Sequence, residues 1–264
     1  MKWISSIVEV NKYFVHIASD KLLREYISHY SISLPSDSFQ LLSPILVPDL
    51  GGTIIFEFNS SGIDANVFWV TNDIKKVKST DSILFMIEFN PSGLIRLFKD
   101  SHPSYTNLAM PLKELNKEIY LQLFNIFYDS SSVEVLIQQL NHYFCEKLCV
   151  DKKISAVVDY IKATHCHSSV KSIADKLYYS PKQVNRMMMN TVGLTAKDYL
   201  KTKRLILSLD YLKNKTLTID EISYQLGFYD TAHFVKTFHE LYLVNPTEYR
   251  NNMSLFYSEK HKTF

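Results

Sequence analysis

Cysteine, glycine, tryptophan and long apolar runs are all scarce in this chain of 264 residues. Three cysteines, an odd number, do not make the disulfide framework of a small secreted domain and suit a reducing cytoplasm. The longest uninterrupted apolar stretches, such as residues 83–87, fall far short of the ~18 residues of a membrane-spanning helix. The first residues, MKWISSIVEVNK, reach Glu9 before an apolar leader core develops, so export is not expected. Catalytic signatures are missing too: there is no phosphate loop, no G-x-S-x-G and no H-E-x-x-H. Neither an enzyme nor a cofactor is therefore expected. Charge of one sign is not in excess, with 29 Lys+Arg against 27 Asp+Glu. At 46% hydrophobic residues, the chain is too apolar to be disordered.

These scarcities are unevenly spread. Six of the eight prolines and four of the six glycines lie between Pro35 and Pro111, and afterwards only Pro181, Gly193, Gly227 and Pro246 remain. A stretch of that length with four such breaks should be nearly all helix. Charge divides the chain in a similar place: residues 1–150 carry a net −4, residues 151–250 a net +5 and the last fourteen +1. Three parts are expected, namely a domain over 1–150, a second over 151–250 that meets a polyanion, and a tail over 251–264. The fold class is α+β, with a β-rich mixed domain followed by an all-α one.

In the front part TIIFEFN (53–59), ANVFWVT (65–71) and SILFMIEF (82–89) read as strands. Asn90-Pro91 reads as the N-cap and first residue of a helix running to Phe98. Two amphipathic helices follow, over 112–128 and 133–150. The second places Leu136, Ile137, Leu140, Phe144 and Leu148 on one face, to pack on its own domain or to form a homodimer. The aromatic residues Phe56, Phe58, Phe68, Trp69, Phe85 and Phe89 suit a sheet core, and an effector-binding set cannot be named. His142, Cys145 and Cys149 stand at i, i+3 and i+7, and His165-Cys166-His167 follows. Without a paired C-x-x-C these are expected to pack, not to bind metal.

The back part is internally duplicated. Ile173 and Leu177 answer Ile222 and Leu226 forty-nine residues later, while Val184, Met188 and Tyr199 answer Phe234, Phe238 and Tyr249 at a separation of fifty. Each unit reads as helix, tight turn, helix, the pattern of a helix-turn-helix motif. Capping boxes are expected at Ser180–Gln183 and Thr218–Glu221, with Asp230 opening the last helix. A connector helix over 195–214 joins the units, opened by Thr195 and Asp198.

An α-helix fits the major groove of DNA, where base edges differ in their donors and acceptors. With Val184, Met187 and Met188 inward, Lys182, Asn185, Arg186 and Met189 point outward. Asn suits adenine, Arg suits guanine, and Lys serves guanine or phosphate. With Phe234, Phe238 and Leu241 inward, Thr231, Ala232, Val235 and Lys236 face out. That second face suits methyl, phosphate and shape contacts more than paired hydrogen bonds. Lys201 and Lys203 on the connector are expected to touch phosphate.

Residues 154–250 resemble the two-motif DNA-binding domain of AraC/XylS-family transcription regulators, through LGFYDTAHFVKTFHELYLVNPTEYR and SPKQVNRMMMNTVGLTAKDYLKTKRL. Tyr178 and Leu243 stand where that family often has glycine. LVPDLGGTIIFEF, IEFNPSGLIRLF and MPLKEL resemble the sensor region of one branch of the family. The resemblance implies a cytoplasmic, DNA-binding activator with RNA polymerase as partner, a small-molecule effector for the front domain, and no membrane. Two alternatives remain: an alkyl-acceptor repair protein on the same scaffold, with Cys166 as acceptor, and an interaction module without operator specificity.

Overall fold

The computed structural model describes residues 7–10, 14–33, 45–46, 49–60, 62–71, 75–76, 82–99, 105–148, 156–164 and 167–251. The front part contains β1 (Ile7–Val10), β2 (Phe14–Ala18), β3 (Ile27–Ser33), β4 (Ile45–Leu46), β5 (Thr53–Asn59), β6 (Gly62–Phe68), β7 (Lys75–Lys76) and β8 (Ile83–Phe89). Then come α1 (Gly93–Phe98), β9 (Ala109–Pro111), α2 (Leu112–Leu115), α3 (Lys117–Asp129) and α4 (Val133–Leu148). Seven strands form one sheet in the order β1-β2-β3-β8-β5-β6-β9, and β4 pairs with β7. Every pairing is antiparallel.

Strand alternation builds the front core. Tyr30, Ile54, Phe56, Val67, Phe85, Ile87 and Phe89 share one sheet face because successive side chains point to opposite sides. α3 and α4 cover that face with Leu123, Leu136, Ile137, Leu140, Phe144 and Leu148. Phe127 sits with its ring 4.3 Å from that of Phe56 and 5.0 Å from that of Phe85. The stripe on α4 thus packs on its own domain.

Local boundaries differ from the sequence reading in three places. α1 starts at Gly93, behind Ser92 in a left-handed conformation, so Asn90 is not its cap. Asn90 is buried instead, its Nδ2 donating to the Arg24 carbonyl at 2.7 Å. A Cβ on Gly93 would lie 2.2 Å from the Tyr26 carbonyl oxygen, so glycine is required where the two backbones cross. The helix over 112–128 is two helices, broken at Asn116, which is extended and accepts from Ile119 N–H at 2.9 Å to cap α3. β6 ends at Phe68, leaving Trp69 to pack on Phe98 and Tyr105.

The back part is helical: α5 (Ala156–Ala163), α6 (Val170–Lys176), α7 (Pro181–Val192), α8 (Ala196–Lys213), α9 (Ile219–Gln225), α10 (Thr231–Tyr242) and α11 (Pro246–Asn251). α8 serves two separate cores. Its first turns give Tyr199 and Leu200 to a cluster with Val158, Ile161, Ile173, Val184 and Met188. Further along, Leu205, Leu209 and Leu212 pack with Ile222, Leu226, Phe234, Phe238 and Tyr249.

The first of these cores also takes in Leu50 and Val70 from the front part. Thr106 Oγ1 donates to the Gly193 carbonyl at 2.8 Å, at the end of α7. Among the described residues, the second core draws on nothing before Leu205. Among them, too, no helix is long and apolar enough to cross a membrane. No group of three His, Cys, Asp or Glu side chains is placed there to hold a metal ion. Cys145 packs against the front core, and His142 lies exposed beside Glu146 at 3.5 Å. Cys149, His165 and Cys166 lie outside the described residues.

Candidate nucleic-acid interface

The two units are built by the same local rules. α6 ends on a paired closure in which Tyr179 N–H bonds to Ala174 O (2.9 Å) and Tyr178 N–H to Asp175 O (3.3 Å). α9 repeats it, with Phe228 N–H on Ser223 O (3.1 Å) and Gly227 N–H on Tyr224 O (3.0 Å). This closure needs one left-handed residue, which is Tyr178 at φ 59° in the first unit and Gly227 at φ 73° in the second. At the far ends of α7 and α10 the same alternation occurs, with Gly193 at φ 81° and Leu243 at φ 58°. Tyr178 and Leu243 thus adopt the conformation that glycine takes in the other unit, at a cost of roughly 1 kcal/mol each.

The helix starts match as well. Ser180 accepts from Gln183 N–H, and Gln183 Oε1 accepts from Ser180 N–H at 2.8 Å. Thr218 and Glu221 form the same box, and its two donors hold the Glu221 carboxyl below the usual carboxylate range. Asp230 accepts from His233 N–H at 2.6 Å to open α10. Thr195 accepts from Asp198 N–H to open α8.

Both second helices bury one face and offer the other. On α7, Val184 and Met188 are buried, Met187 is half-buried, and Lys182 and Arg186 are exposed. Met189 and Asn185 are half-buried. On α10, Phe234, Thr237, Phe238 and Leu241 are buried, Ala232 and Lys236 are exposed, and Thr231 and Val235 are half-buried. Val235 lines an open groove with Asn245, Pro246 and Thr247.

Two expectations require correction. Lys203 does not reach for phosphate. It is 6% exposed, and its ammonium donates to the carbonyls of Lys162 and Thr164. It thereby satisfies carbonyls that the end of α5 leaves without helical partners and places a cation at the negative end of the helix dipole. Asn185 is not a free adenine reader, because its Oδ1 accepts from Ala196 N–H at 3.0 Å, at the first turn of α8. Bidentate pairing with adenine would need that oxygen. The counterpart pair fifty residues on is Val235 and Pro246. Proline has no N–H to satisfy, so an apolar side chain suffices there.

The remaining connector cations divide in a similar way. Arg204 Nη2 donates to Ser168 O at 3.1 Å. Lys201 is exposed and lies 3.6 Å from Glu240, an ion pair open to solvent. Lys171 and Lys176 on α6 and Lys197 on α8, the helices before and after α7, are exposed as well; helical spacing on α7 and α10 alone does not single them out. Tyr178 and Tyr229, in the two turns, are 94% and 92% exposed.

A family model described as a helix-turn-helix domain matches residues 173–252. The chain is 27% identical over 146 residues to the HTH-type transcriptional activator RhaS of Citrobacter koseri, a match covering 51% of this chain and 45% of RhaS. It is 28% identical over 109 residues to the HTH-type transcriptional regulator YijO of Escherichia coli, covering 41% and 38% of the two chains. The chain thus spans less than half the length of the curated relatives it matches. A solved structure of ToxT from Vibrio cholerae aligns over 92% of this chain and 95% of its own, at 14% identity and a TM-score of 0.42. Residues 173–252 thus match a helix-turn-helix domain of the AraC type, and over that part the chain is similar to transcription regulators such as RhaS.

Proposed function

We propose that this chain is a sequence-specific DNA-binding transcription regulator that sets α7 and α10 into successive major grooves. The observation that carries this reading is the duplicated geometry. Two capped helices, each with a buried face and an exposed one, stand at the two ends of an unbroken eighteen-residue α8. At 1.5 Å per residue α8 is about 27 Å long, of the order of the 34–36 Å that separates successive grooves on one DNA face. Arg186 and Lys182 are the leading base readers. Met189 meets thymine methyl groups, and Lys201 meets phosphate once it leaves Glu240. Thr231, Ala232, Val235 and Lys236 read methyl groups, shape and backbone.

In this proposal residues 1–150 form a sensor and oligomerisation domain, residues 151–250 bind DNA, and 251–264 form a tail. The protein works in the cytoplasm, as an activator that recruits RNA polymerase and not as an enzyme. Its relative RhaS carries the name of an activator. A small molecule or a second copy of the chain acts through the front domain by favouring one of two states of different DNA affinity. Selection of binding sites from a random duplex library with the full chain is the test. A two-part consensus is expected. A library that emerges unenriched would overturn the proposal, and transfer of an alkyl group to Cys166, read by intact mass after incubation with alkylated DNA, would replace it with the repair reading.

A further inference from the structure

We infer that the tyrosines in the two turns, Tyr178 and Tyr229, are DNA-backbone contacts whose phenol hydroxyls donate to phosphate oxygens at the rims of the grooves that α7 and α10 enter. This rests on the reading of those helices as recognition helices. Tyr178 is held at φ 59°, where its counterpart is Gly227. A side chain at that backbone conformation is strained, and a buried ring would offset the strain by packing. Tyr178 instead leaves 94% of its surface in solvent. Leu243, strained alike, keeps two-fifths of its surface covered and lies at the end of α10 remote from the turn.

The second turn makes the same offer by a different route. The one-residue insertion that shifts the repeat from forty-nine to fifty falls at Tyr229 and Asp230. It places a tyrosine, 92% exposed, directly before the residue that caps α10. Each recognition helix is thus preceded by an aromatic side chain that the fold does not use. Both stand at the helix end that must approach DNA, since the N-terminal turns carry the base-reading residues. Around the first turn the exposed cations Lys171, Lys176 and Lys182 provide the positive surroundings that a phosphate needs.

The chemistry fixes how such contacts behave. A phenol is neutral, so it displaces no counterion when it binds phosphate. A lysine contact does, and steepens the salt dependence. Phosphate carries no base information, so the tyrosines add affinity for every sequence alike.

The test uses the full chain and a random-sequence duplex of about 40 base pairs, with affinity followed by fluorescence anisotropy at three salt concentrations. Tyr178→Phe and Tyr229→Phe keep ring and backbone. Each should lower affinity about three- to tenfold at every salt concentration, with an unchanged salt slope and an unchanged melting temperature, as loss of one solvent-exposed hydrogen bond implies. Tyr178→Gly should raise the melting temperature and lower affinity at least as much. Affinities equal to the parent's in the Phe and Gly variants would overturn the inference, and so would losses that track a fall in melting temperature. Lys182→Ala serves as the control for the underlying reading. If it too leaves affinity and slope untouched, α7 does not face DNA, and the failure lies there and not with the tyrosines.

Discussion

At Asn185 a single side chain looks like a reader and behaves as a cap. Its oxygen holds Ala196 N–H at 3.0 Å, so Asn185→Ala should cost about 1 kcal/mol of stability, measured by urea unfolding, and shift the selected operator little. Arg186 is exposed and takes part in no such cap. Arg186→Ala should cost roughly 1–3 kcal/mol of discrimination at one or two base pairs of one half-site. A selection in which Lys236→Ala changes the consensus and Arg186→Ala does not would assign the dominant reader to α10. Lys203 yields the opposite lesson about cations. Lys203→Ala should lower the melting temperature and leave the salt slope of DNA binding unchanged, whereas Lys201→Ala should reduce that slope by about one. Neither Asn185 nor Lys203 was legible in the sequence, because periodicity tells which way a side chain points and not which distant N–H or carbonyl waits there. The outward placement of Lys182, Arg186, Ala232 and Lys236 was legible, since helical spacing alone decides it.

Among elements, the caps were read most directly. Ser180 with Gln183 and Thr218 with Glu221 are short-range patterns in which residue type and spacing supply both hydrogen bonds. Thr218→Ala should therefore destabilise the chain by about 1 kcal/mol at neutral pH. The Glu221 carboxyl, held below the usual carboxylate range by the Thr218 N–H and hydroxyl, contributes in its charged form. That contribution is full above the ordinary carboxylate pKa and is lost as pH falls through the lowered value. The gap between Thr218→Ala and parent in urea unfolding should narrow there, and a gap that widens in acid would contradict this account of the box. The break at Asn116 and the late start of α1 escaped notice because their causes are tertiary: Asn90 is drawn to Arg24 O, and Gly93 to the backbone at Tyr26. Strands β1 to β3 escaped for a related reason. His16, His29 and Ser31 are buried on the second sheet face, with His16 Nδ1 bonded to Ser31 Oγ at 2.8 Å. Polar residues on a buried face break the apolar run that would mark these strands.

Over the whole molecule, the two helix-turn-helix units are unequally tied to the rest. Leu50 and Val70 are buried in the core of the first unit, and Thr106 holds the end of α7, while among the described residues the core of the second unit draws on nothing before Leu205. Contacts between residues a hundred positions apart leave no trace in local pattern, so the split near residue 150 could be read from charge and proline while this seam could not. Leu50→Ala should destabilise the first unit by about 2–4 kcal/mol, seen as faster hydrogen exchange in α5 to α7 than in α9 to α11; uniform exchange across both units would contradict the seam. Through it a change in the front domain would reach α7 before α10. In the proposed complex α7 and α10 occupy successive major grooves on one face of DNA. Hydroxyl-radical and methylation footprinting of the full chain on a selected site tests it most directly. Two protected major-groove patches about one helical turn apart on the same face are expected, and Arg186→Ala should weaken one of them. A single patch, or two on opposite faces, would contradict it.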